Sequence, residues 1–506
     1  MNIGNRRIKD KQICEYIIVG IFLITISIMF SYLTGILNSG YHLTDDHEII
    51  VINEYINNNG LFSAIVKFIG EDLSWRYRPL YFFVRVVRTY FFKTNFFIWH
   101  LVISIECGIY MFLSYILARK MKAPIIISII FSFIFLIGTQ DEIIWRMGPQ
   151  ENMGMVFLPL SFLFLINYYK NNTRKNLILS EISIALLMLC KESFLLLAPS
   201  FIIFMFYLYS LNKATKTFFN LLANFIKEYK TFIICIFAVM IINLGIIFFY
   251  VGLLKSGYAG VDTSYTIGEY IRITLNVFIR DLKDYWIIIG AVLFIETIDY
   301  INKTIKKITV NFSESFSLLI FVFYSLVVEA FLYAKSVMAD RYKLPLLWVL
   351  YFSVFVLQQN KIKKPYHTIA ILLITIYIFN TYNFSNIINR GSYYAEDGKK
   401  ITEMFSDIGE LSKDNNELIV LTDFYWYEHN DSSSKYLQIQ EKVKNVYYLD
   451  REKYDGEYKK IYNTSDKRIK VSDADVIITD DFNIDYYDDN NYEIVKYFNY
   501  YLLKKK

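Results

Sequence analysis

The chain has 506 residues, of which 55% are hydrophobic and 18% are aromatic, and its mean hydropathy is +0.32. This composition excludes an ordinary soluble protein, and apolar runs long enough to cross a hydrocarbon layer of about 30 Å recur through the first three quarters of the sequence. The net charge of +5 does not indicate nucleic-acid binding, because the basic excess lies in short connections between the apolar runs. The sequence therefore predicts a polytopic α-helical membrane protein.

Eleven membrane-spanning helices are predicted from the apolar runs. The first follows a basic N-terminus and is too long for the apolar core of a signal peptide, so we expect it to remain as an uncleaved span. The eleven predicted spans are residues 13–37, 96–117, 124–138, 153–169, 177–189, 194–211, 232–252, 286–301, 316–333, 345–358 and 368–382.

The connections between these spans alternate in charge. Every second connection is rich in Lys and Arg, and such connections accumulate on the cytoplasmic side of a membrane. The basic connections are the N-terminus and residues 119–122, 170–175, 213–230, 303–307 and 361–364. This pattern predicts a multi-pass protein of the cell membrane whose N-terminus is cytoplasmic and whose C-terminal segment is extracytoplasmic.

The segment from residue 384 to residue 506 differs in character from the apolar residues 1–383. It contains 24 acidic and 18 basic residues. Its strand-like runs are residues 418–421, 446–449 and 476–479, and its helical patterns are residues 398–411 and 433–443. This order of elements predicts a small α/β domain of roughly a hundred residues. The acidic run that begins with Asp480 and Asp481 is compatible with a metal site or with a solvated loop.

The first predicted outer loop, residues 38–95, is the most informative part of the sequence. It places two adjacent carboxylates, Asp45 and Asp46, shortly after the first span, and His47 follows them. Short amphipathic helices are predicted next, and the stretch around Arg78 adds aromatic and cationic side chains. The sequence leaves two explanations of the acidic pair open. The pair either acts in catalysis at the membrane surface or caps the following helix.

Further charged residues are predicted at the same depth in the other outer loops. Charges this close to hydrocarbon are costly unless they are paired or functional. A site that needs a carboxylate base together with cations for a phosphate has this composition. The candidates for substrate binding are His47, Arg78, Glu142, Arg146, Lys191, Glu192 and Arg341. Lys191 with Glu192 has a second explanation, which is a solvated hairpin between two apolar helices.

Six short motifs occur in order between Thr44 and Pro345. They are Asp45-Asp46, Tyr77-Arg78-Pro79-Leu80, His100-Leu101-Val102, Glu142 with Trp145-Arg146, Leu189-Cys190-Lys191-Glu192-Ser193, and Asp340-Arg341-Tyr342 with Leu344-Pro345. Together these motifs resemble the GT-C glycosyltransferases, in particular the transmembrane O-mannosyltransferases that carry tetratricopeptide repeats. The resemblance implies a GT-C-like membrane domain over residues 1–383, a polyprenyl-phosphate-linked sugar donor, a site at the outer face, and inversion at the anomeric carbon.

The chain departs from the family's pattern in three places. Gly138-Thr139 stands where a His-Pro pair is usual, and Ile103 stands where Asn is usual after His-Leu-Val. The tetratricopeptide repeats are absent, and the small α/β domain takes their place. The resemblance therefore implies no protein acceptor for this chain.

The sequence thus predicts a membrane glycosyltransferase that acts on a cell-surface glycan or polymer. Asp45 and Asp46 are its expected catalytic residues, one as the base and the other as a partner that positions the acceptor or helps to bind a divalent cation. A lipid-linked sugar flippase or another multi-span transporter is an alternative, because transporters use intramembrane charges, which here are Glu106, Glu296 and Glu329. A non-enzymatic surface protein is another. The four cysteines lack the spacing of a disulfide framework or a metal site.

Overall fold

The computed structural model describes residues 3–74, 76–211, 217–251, 266–282, 285–306, 312–332, 340–358, 364–382, 384–449, 461–462, 468–487 and 491–506. Its helices are α1 (Ile3–Leu33), α2 (His47–Asn59), α3 (Leu61–Asp72), α4 (Pro79–Phe92), α5 (Phe96–Lys120), α6 (Ile125–Ile134), α7 (Glu151–Asn171), α8 (Arg174–Met188), α9 (Glu192–Leu197), α10 (Pro199–Ser210), α11 (Phe218–Ile246), α12 (Ile267–Asn276), α13 (Trp286–Ile305), α14 (Phe312–Leu332), α15 (Leu344–Tyr351), α16 (Lys364–Tyr382), α17 (Phe384–Asp414) and α18 (Tyr427–Ile439). Its strands are β1 (Ile419–Asp423), β2 (Asn445–Leu449), β3 (Ile461–Tyr462), β4 (Arg468–Ile469), β5 (Val476–Asp480), β6 (Tyr492–Tyr497) and β7 (Tyr500–Lys505).

Six helical segments in the described parts of the chain are long and apolar enough to cross a membrane. They are Lys11–Leu33, Phe96–Lys120, Glu151–Asn171, Glu192–Ser210, Phe218–Tyr250 and Ser313–Leu332. Each coincides with a predicted span, so the prediction of a helical membrane architecture is confirmed. Residues 368–382 lie in a helix pair, His367–Thr381 with Ser385–Asp414, that is long and apolar enough only if the two helices are counted as one span across their 42° bend. The other four predicted spans do not reach this length and apolar character within the described residues, and eleven spans stay a prediction. Parts of the basic connections, including residues 361–363, lie outside the described residues.

The helices pack around an aromatic core. Trp348 stacks on Phe162 with ring centroids 5.3 Å apart, and Phe131 and Phe352 contact the same indole at 5.6 and 5.1 Å. The indole N–H donates to Ser114 Oγ at 2.9 Å, so the polar atom of this buried side chain is satisfied. The high aromatic content of the sequence therefore serves, in part, to fill the interior between helices.

The first loop, residues 38–95, folds as the predicted series of short amphipathic helices, α2 to α4. Ile49, Ile52 and Ile56 recur at helical spacing and are buried on one side of α2. Gly60 separates α2 from α3 with a φ of +82°, a backbone conformation that glycine adopts without strain. Pro79 begins α4, where a missing amide N–H costs no helical hydrogen bond. Local sequence thus determines this part of the fold.

The C-terminal residues form the predicted α/β domain around one seven-stranded sheet of order β4-β3-β2-β1-β5-β7-β6. The central strands β2, β1 and β5 are parallel, and they contain the three strand-like runs of the sequence. α18 connects β1 to β2, as parallel neighbours require. Asp480, at the end of β5, is buried and accepts a hydrogen bond from the Tyr425 N–H at 2.8 Å, whereas Asp481 is exposed. The first carboxylate of the acidic run is therefore part of the domain interior, whereas Asp481 and Asp485 are exposed, as in a solvated loop.

The C-terminal domain packs directly on the first loop. The buried ring of Tyr41 lies among Phe96, Phe405 and Tyr436, with ring centroids 5.8, 6.1 and 4.5 Å away. Its hydroxyl donates to the main-chain oxygen of Ser432 at 2.9 Å. The domain therefore covers the residues that precede the acidic pair and shares a hydrophobic core with them.

Candidate functional site

Asp45 lies in the turn before α2 and has a left-handed backbone, with a φ of +65°. Arg85 Nη2 donates to its carbonyl oxygen at 2.7 Å, and its own N–H donates to Glu428 Oε1 at 3.3 Å. Gly148 packs so closely on its side chain that a Cβ there would lie 2.1 Å from Asp45 Oδ2. The main chain is thus fixed, while the carboxylate faces a cavity and accepts no hydrogen bond from the residues that the structure describes.

The first cavity, beside this carboxylate, has a volume of about 830 Å³. Its walls come from the first loop, from the residues just before α7 and α15, and from α18 of the C-terminal domain. Four of the nine residues singled out in the sequence line it, namely Asp45, His47, Arg78 and Arg341. The structure therefore brings together side chains that are separated by up to three hundred positions in the chain.

A second cavity, of about 660 Å³, lies against the same turn. Thr44 and His429 line the second cavity, and their sequence neighbours Asp45 and Glu428 line the first. The two cavities therefore share a wall that consists of the turn before α2 and the start of α18. The turn belongs to the first loop and α18 belongs to the C-terminal domain, so this wall forms where the domain packs on the loop.

Asp46 lies inside this wall and lines neither cavity. It is buried, and although it occupies the N-cap position of α2, its side chain makes no capping bond. Asp46 Oδ2 accepts a hydrogen bond from the His42 N–H at 3.0 Å, and Oδ1 has no hydrogen-bond partner among the described residues. Burial raises the pKa of the Asp46 carboxyl well above its usual range. The structure thus supports neither substrate contact nor helix capping by Asp46, and gives it a role in shaping the turn.

Arg341 presents a guanidinium with hydrogen-bonding capacity to the first cavity. Its Nη1 lies 3.5 Å from Glu142 Oε1, and its Nε has no hydrogen-bond partner in the described part of the chain. Arg78 is engaged by contrast, because its Nε and Nη2 donate to Asp72 Oδ1 at 3.0 and 2.6 Å. Arg341 is therefore the less engaged of the two arginines and the better candidate to bind an anion.

Glu142 and Arg146 both line the second cavity. They form an ion pair, with Arg146 Nε 3.1 Å from Glu142 Oε2, one turn apart in the chain. Since Glu142 also contacts Arg341, this carboxylate connects the cation of the first cavity with the charges of the second. Glu142, Arg146 and Arg341 thus lie close together, but they are divided between two cavities.

Lys191 and Glu192 do not form a solvated hairpin. Lys191 is only 3% exposed, pairs with Glu151, and has its Nζ 3.6 Å from the ring centroid of Tyr342. Glu192 begins α9, and its Oε1 is buried without a hydrogen-bond partner among the described residues. Neither side chain lines the two cavities. Lys191 contacts the first cavity only indirectly, because it packs on the ring of Tyr342, and Tyr342 lines that cavity.

His47 begins α2 and lines the first cavity. Its Nε2 lies 3.8 Å from Asp431 Oδ2, and its Nδ1 is buried with no hydrogen-bond partner among the described residues. Burial lowers the pKa of His47 below its usual value, so the imidazole is neutral at pH 7. His47 therefore contributes a neutral imidazole to the lining of the first cavity.

Sequence reasoning missed the residues that support the turn. Ser39 Oγ lies 3.0 Å from His100 Nε2 and 3.2 Å from His42 Nε2, so the His of the His-Leu-Val motif anchors the loop. The ring of His42 stacks on Tyr394 of α17 with centroids 3.6 Å apart. No local sequence pattern indicates that Glu428 belongs to the site, because it contacts the turn from the C-terminal domain, 383 positions from Asp45.

The sequence leaves open whether one of the two carboxylates helps to bind a divalent cation. In the ranges that the structure describes, no group of three or more His, Cys, Asp or Glu side chains is placed to hold a metal ion. Asp45 faces the first cavity while Asp46 is buried, so the two carboxylates do not form a joint cation site.

No protein-family model matches the chain, and no curated protein matches it. The resemblance to the GT-C glycosyltransferases stays a prediction from the six motifs. Independently of that resemblance, Asp45 and Arg341 line the same cavity. The Asp45 carboxylate accepts no hydrogen bond from the described residues, and Arg341 makes a long contact with Glu142. Any functional proposal has to account for this combination.

Proposed function

We propose that the protein is a membrane glycosyltransferase that transfers a sugar from a polyprenyl-phosphate-linked donor to a cell-surface glycan or polymer. The observation that carries the proposal is the first cavity, where the carboxylate of Asp45 and the guanidinium of Arg341 face the same space. Its volume of about 830 Å³ suits a sugar phosphate, since ligand pockets measure about 300 to 1,000 Å³. A base and a phosphate-binding cation are the two groups that this transfer needs.

In the proposed reaction, the acceptor hydroxyl attacks the anomeric carbon of the donor sugar. The hydroxyl proton passes to the Asp45 carboxylate, a general-base contribution worth about 10²- to 10⁴-fold in rate. The bond between the anomeric carbon and the phosphate oxygen breaks, and the lipid phosphate leaves with the electron pair. Arg341 neutralises the charge on the departing phosphate. Attack opposite the leaving group inverts the anomeric configuration, as the resemblance implies.

A lipid-linked donor must reach the first cavity from the membrane, and α3 offers an apolar route. Phe62 and Val66 on α3 are 79% and 59% exposed, whereas Phe68 of the same helix lines the cavity. Amphipathic helices with an exposed apolar face lie in the membrane interface. This arrangement supports a binding mode in which the polyprenyl chain stays in the membrane and its phosphate enters the cavity. The alternating basic connections support an outer location for the cavity and for the C-terminal domain.

The C-terminal domain contributes to both cavities, which supports a role in presenting the acceptor. Glu428 and Lys435 line the first cavity, and Asp397 and Tyr500 line the second. Carboxylates, amines and phenols are suitable hydrogen-bonding partners for the hydroxyl groups of a glycan. The domain therefore stands where an extended acceptor would meet the donor.

A lipid-linked sugar flippase is the second candidate. Glu329 of α14 is buried, and its Oε1 has no hydrogen-bond partner among the described residues, as at an intramembrane transport site. Glu106 and Glu296 are engaged, however, because Arg88 pairs with Glu106 and Gln358 donates to Glu296 at 2.9 Å. Two of the three intramembrane carboxylates thus stabilise packing, which favours the enzyme.

The two candidates differ in whether the donor is cleaved. The purified protein is reconstituted in vesicles with undecaprenyl-phosphate-linked glucose, galactose, mannose or N-acetylglucosamine in turn, and free undecaprenyl phosphate is measured by mass spectrometry. A glycosyltransferase releases undecaprenyl phosphate from at least one donor, and faster when cell-envelope glycan is added. Movement of intact donor between leaflets without any release would contradict the proposal and support the flippase.

A further inference from the structure

Glu428 of the C-terminal domain and Asp45 of the first loop meet at the wall between the cavities. α18 begins at Tyr427, so Glu428 lies in its first turn. Glu428 Oε1 accepts a hydrogen bond from the Asp45 N–H at 3.3 Å, and both side chains line the first cavity. The C-terminal domain thus contacts the main chain of the residue that we propose as the base.

The main chain of Asp45 is held on both sides. Arg85 donates to its carbonyl oxygen at 2.7 Å, while Glu428 accepts from its N–H. The φ of +65° lies in the left-handed region, which residues other than glycine occupy where surrounding contacts determine the conformation. Because the direction of a side chain follows from its backbone conformation, these two contacts set the position of the Asp45 carboxylate.

We propose that Glu428 is a positioning residue for sugar transfer, which holds Asp45 in its left-handed conformation by accepting a hydrogen bond from the Asp45 N–H. The inference rests on the proposed function. A hydrogen bond to an ionised carboxylate is stronger than a hydrogen bond to a neutral group. The ionised form of Glu428 therefore holds the Asp45 N–H, and with it the turn, more firmly than the neutral form does.

The charge of Glu428 depends on the groups that face it from each neighbouring element. They are Asp45 in the turn, His47 and Glu48 on α2, Arg146 before α7, Arg341 before α15, and Asp431 and Lys435 on α18 itself. The surrounding protein and the negative charge of Asp45 raise the pKa of Glu428 to about 7, although part of its side chain is open to the cavity. Glu428 therefore ionises as the pH rises through neutrality, and turnover should rise over the same interval.

Two substitutions separate the contact from the charge. Glu428→Gln keeps a carbonyl oxygen for the Asp45 N–H and removes the charge, whereas Glu428→Ala removes both. Glu428→Ala should lower kcat for donor cleavage by about 10- to 100-fold with little change in donor KM, since the base is misplaced but donor binding is not. Glu428→Gln should keep more of kcat and lose its rise around pH 7. Glu410→Gln, exposed on α17, is the matched control and should behave as the unaltered protein.

Hydrogen exchange provides a readout that does not depend on turnover. In the full-length protein, Glu428→Ala should accelerate exchange in the peptide that contains Asp45, and Glu428→Gln should accelerate it less. Unchanged exchange in Glu428→Ala, or an unaltered pH profile in Glu428→Gln, would overturn the inference. Normal turnover in Asp45→Asn would instead overturn the proposed function, and the exchange measurement would still test the positioning contact.

Discussion

Arg85 donates a hydrogen bond from Nη2 to the carbonyl oxygen of Asp45 at 2.7 Å. The same guanidinium is buried and pairs through Nε with Glu48 at 3.1 Å. It also donates to the Tyr81 hydroxyl, which donates in turn to the Gly148 carbonyl oxygen at 2.9 Å. One arginine of α4 therefore joins the turn that carries the proposed base, the start of α2, and the segment that packs against the Asp45 side chain.

Substitution of Arg85 should disturb catalysis through the position of Asp45. Arg85→Ala removes the hydrogen bond to the Asp45 carbonyl oxygen, so we expect kcat for donor cleavage to fall by about 10²-fold. Arg85→Lys should also impair turnover, because an ammonium cannot reproduce the geometry of the guanidinium fork. Arg174→Ala, which changes an exposed arginine at the start of α8, is the control. Normal kcat in Arg85→Ala would show that the turn does not need this contact.

Asp46→Asn should be tolerated far better than Asp45→Asn. Asn keeps an oxygen for the His42 N–H and resembles a protonated carboxyl, so turnover should stay within about tenfold of normal. Asp46→Ala leaves that buried N–H without its partner and should lower the free energy of unfolding by about 1 to 3 kcal/mol. Equal losses of turnover in Asp45→Asn and Asp46→Asn would contradict the distinction between the two residues.

The pH dependence of stability tests the burial of Asp46 separately. Because the pKa of Asp46 is raised in the folded protein, the folded state binds its proton more tightly than the unfolded state does. The contribution of the protonated carboxyl is present at acidic pH and is lost as the pH rises. Asp46→Asn cannot ionise, so its thermal midpoint should increase relative to the unaltered protein between acidic and neutral pH. A constant difference across this range would contradict the raised pKa.

Arg341 should contribute to the binding of the lipid phosphate. Arg341→Ala should weaken binding of undecaprenyl phosphate by about 2 to 5 kcal/mol, the usual cost of removing one partner of a desolvated charge pair. Isothermal titration in detergent measures this loss, and Arg174→Ala again serves as the control. Equal affinity of the unaltered protein for undecaprenyl phosphate and for undecaprenol would contradict an anion site in the first cavity.

The sequence was sufficient where the structure follows from local pattern. The helical spacing of Ile49, Ile52 and Ile56 predicts the buried side of α2, and that side is buried. The strand-like runs of the C-terminal segment likewise correspond to the parallel centre of its sheet. In both cases the pattern, which is helical spacing in α2 and a continuous buried run in β1 and β5, is determined within a few positions of the chain.

The site could be predicted only in part, because it depends on contacts distant in sequence. Asp45 and Asp46 are neighbours, yet one faces a cavity and the other is buried, since the left-handed backbone at Asp45 turns them apart. Glu428 reaches the turn because the ring of Tyr41 is buried against the C-terminal domain. No periodicity or spacing in the sequence predicts the different burial of Asp45 and Asp46 or the contact of Glu428 with the turn.

The central claim is that Asp45 is the base of a sugar transfer, and turnover of Asp45→Asn tests it most directly. Asp485→Asn, an isosteric change at an exposed aspartate of the C-terminal domain, is the matched control. Release of undecaprenyl phosphate is measured with the donor that the unaltered protein cleaves, alongside binding of that donor. We expect Asp45→Asn to bind the donor normally and to release undecaprenyl phosphate about 10²- to 10⁴-fold more slowly, with normal release in Asp485→Asn. Release by Asp45→Asn at the rate of the unaltered protein would contradict the claim.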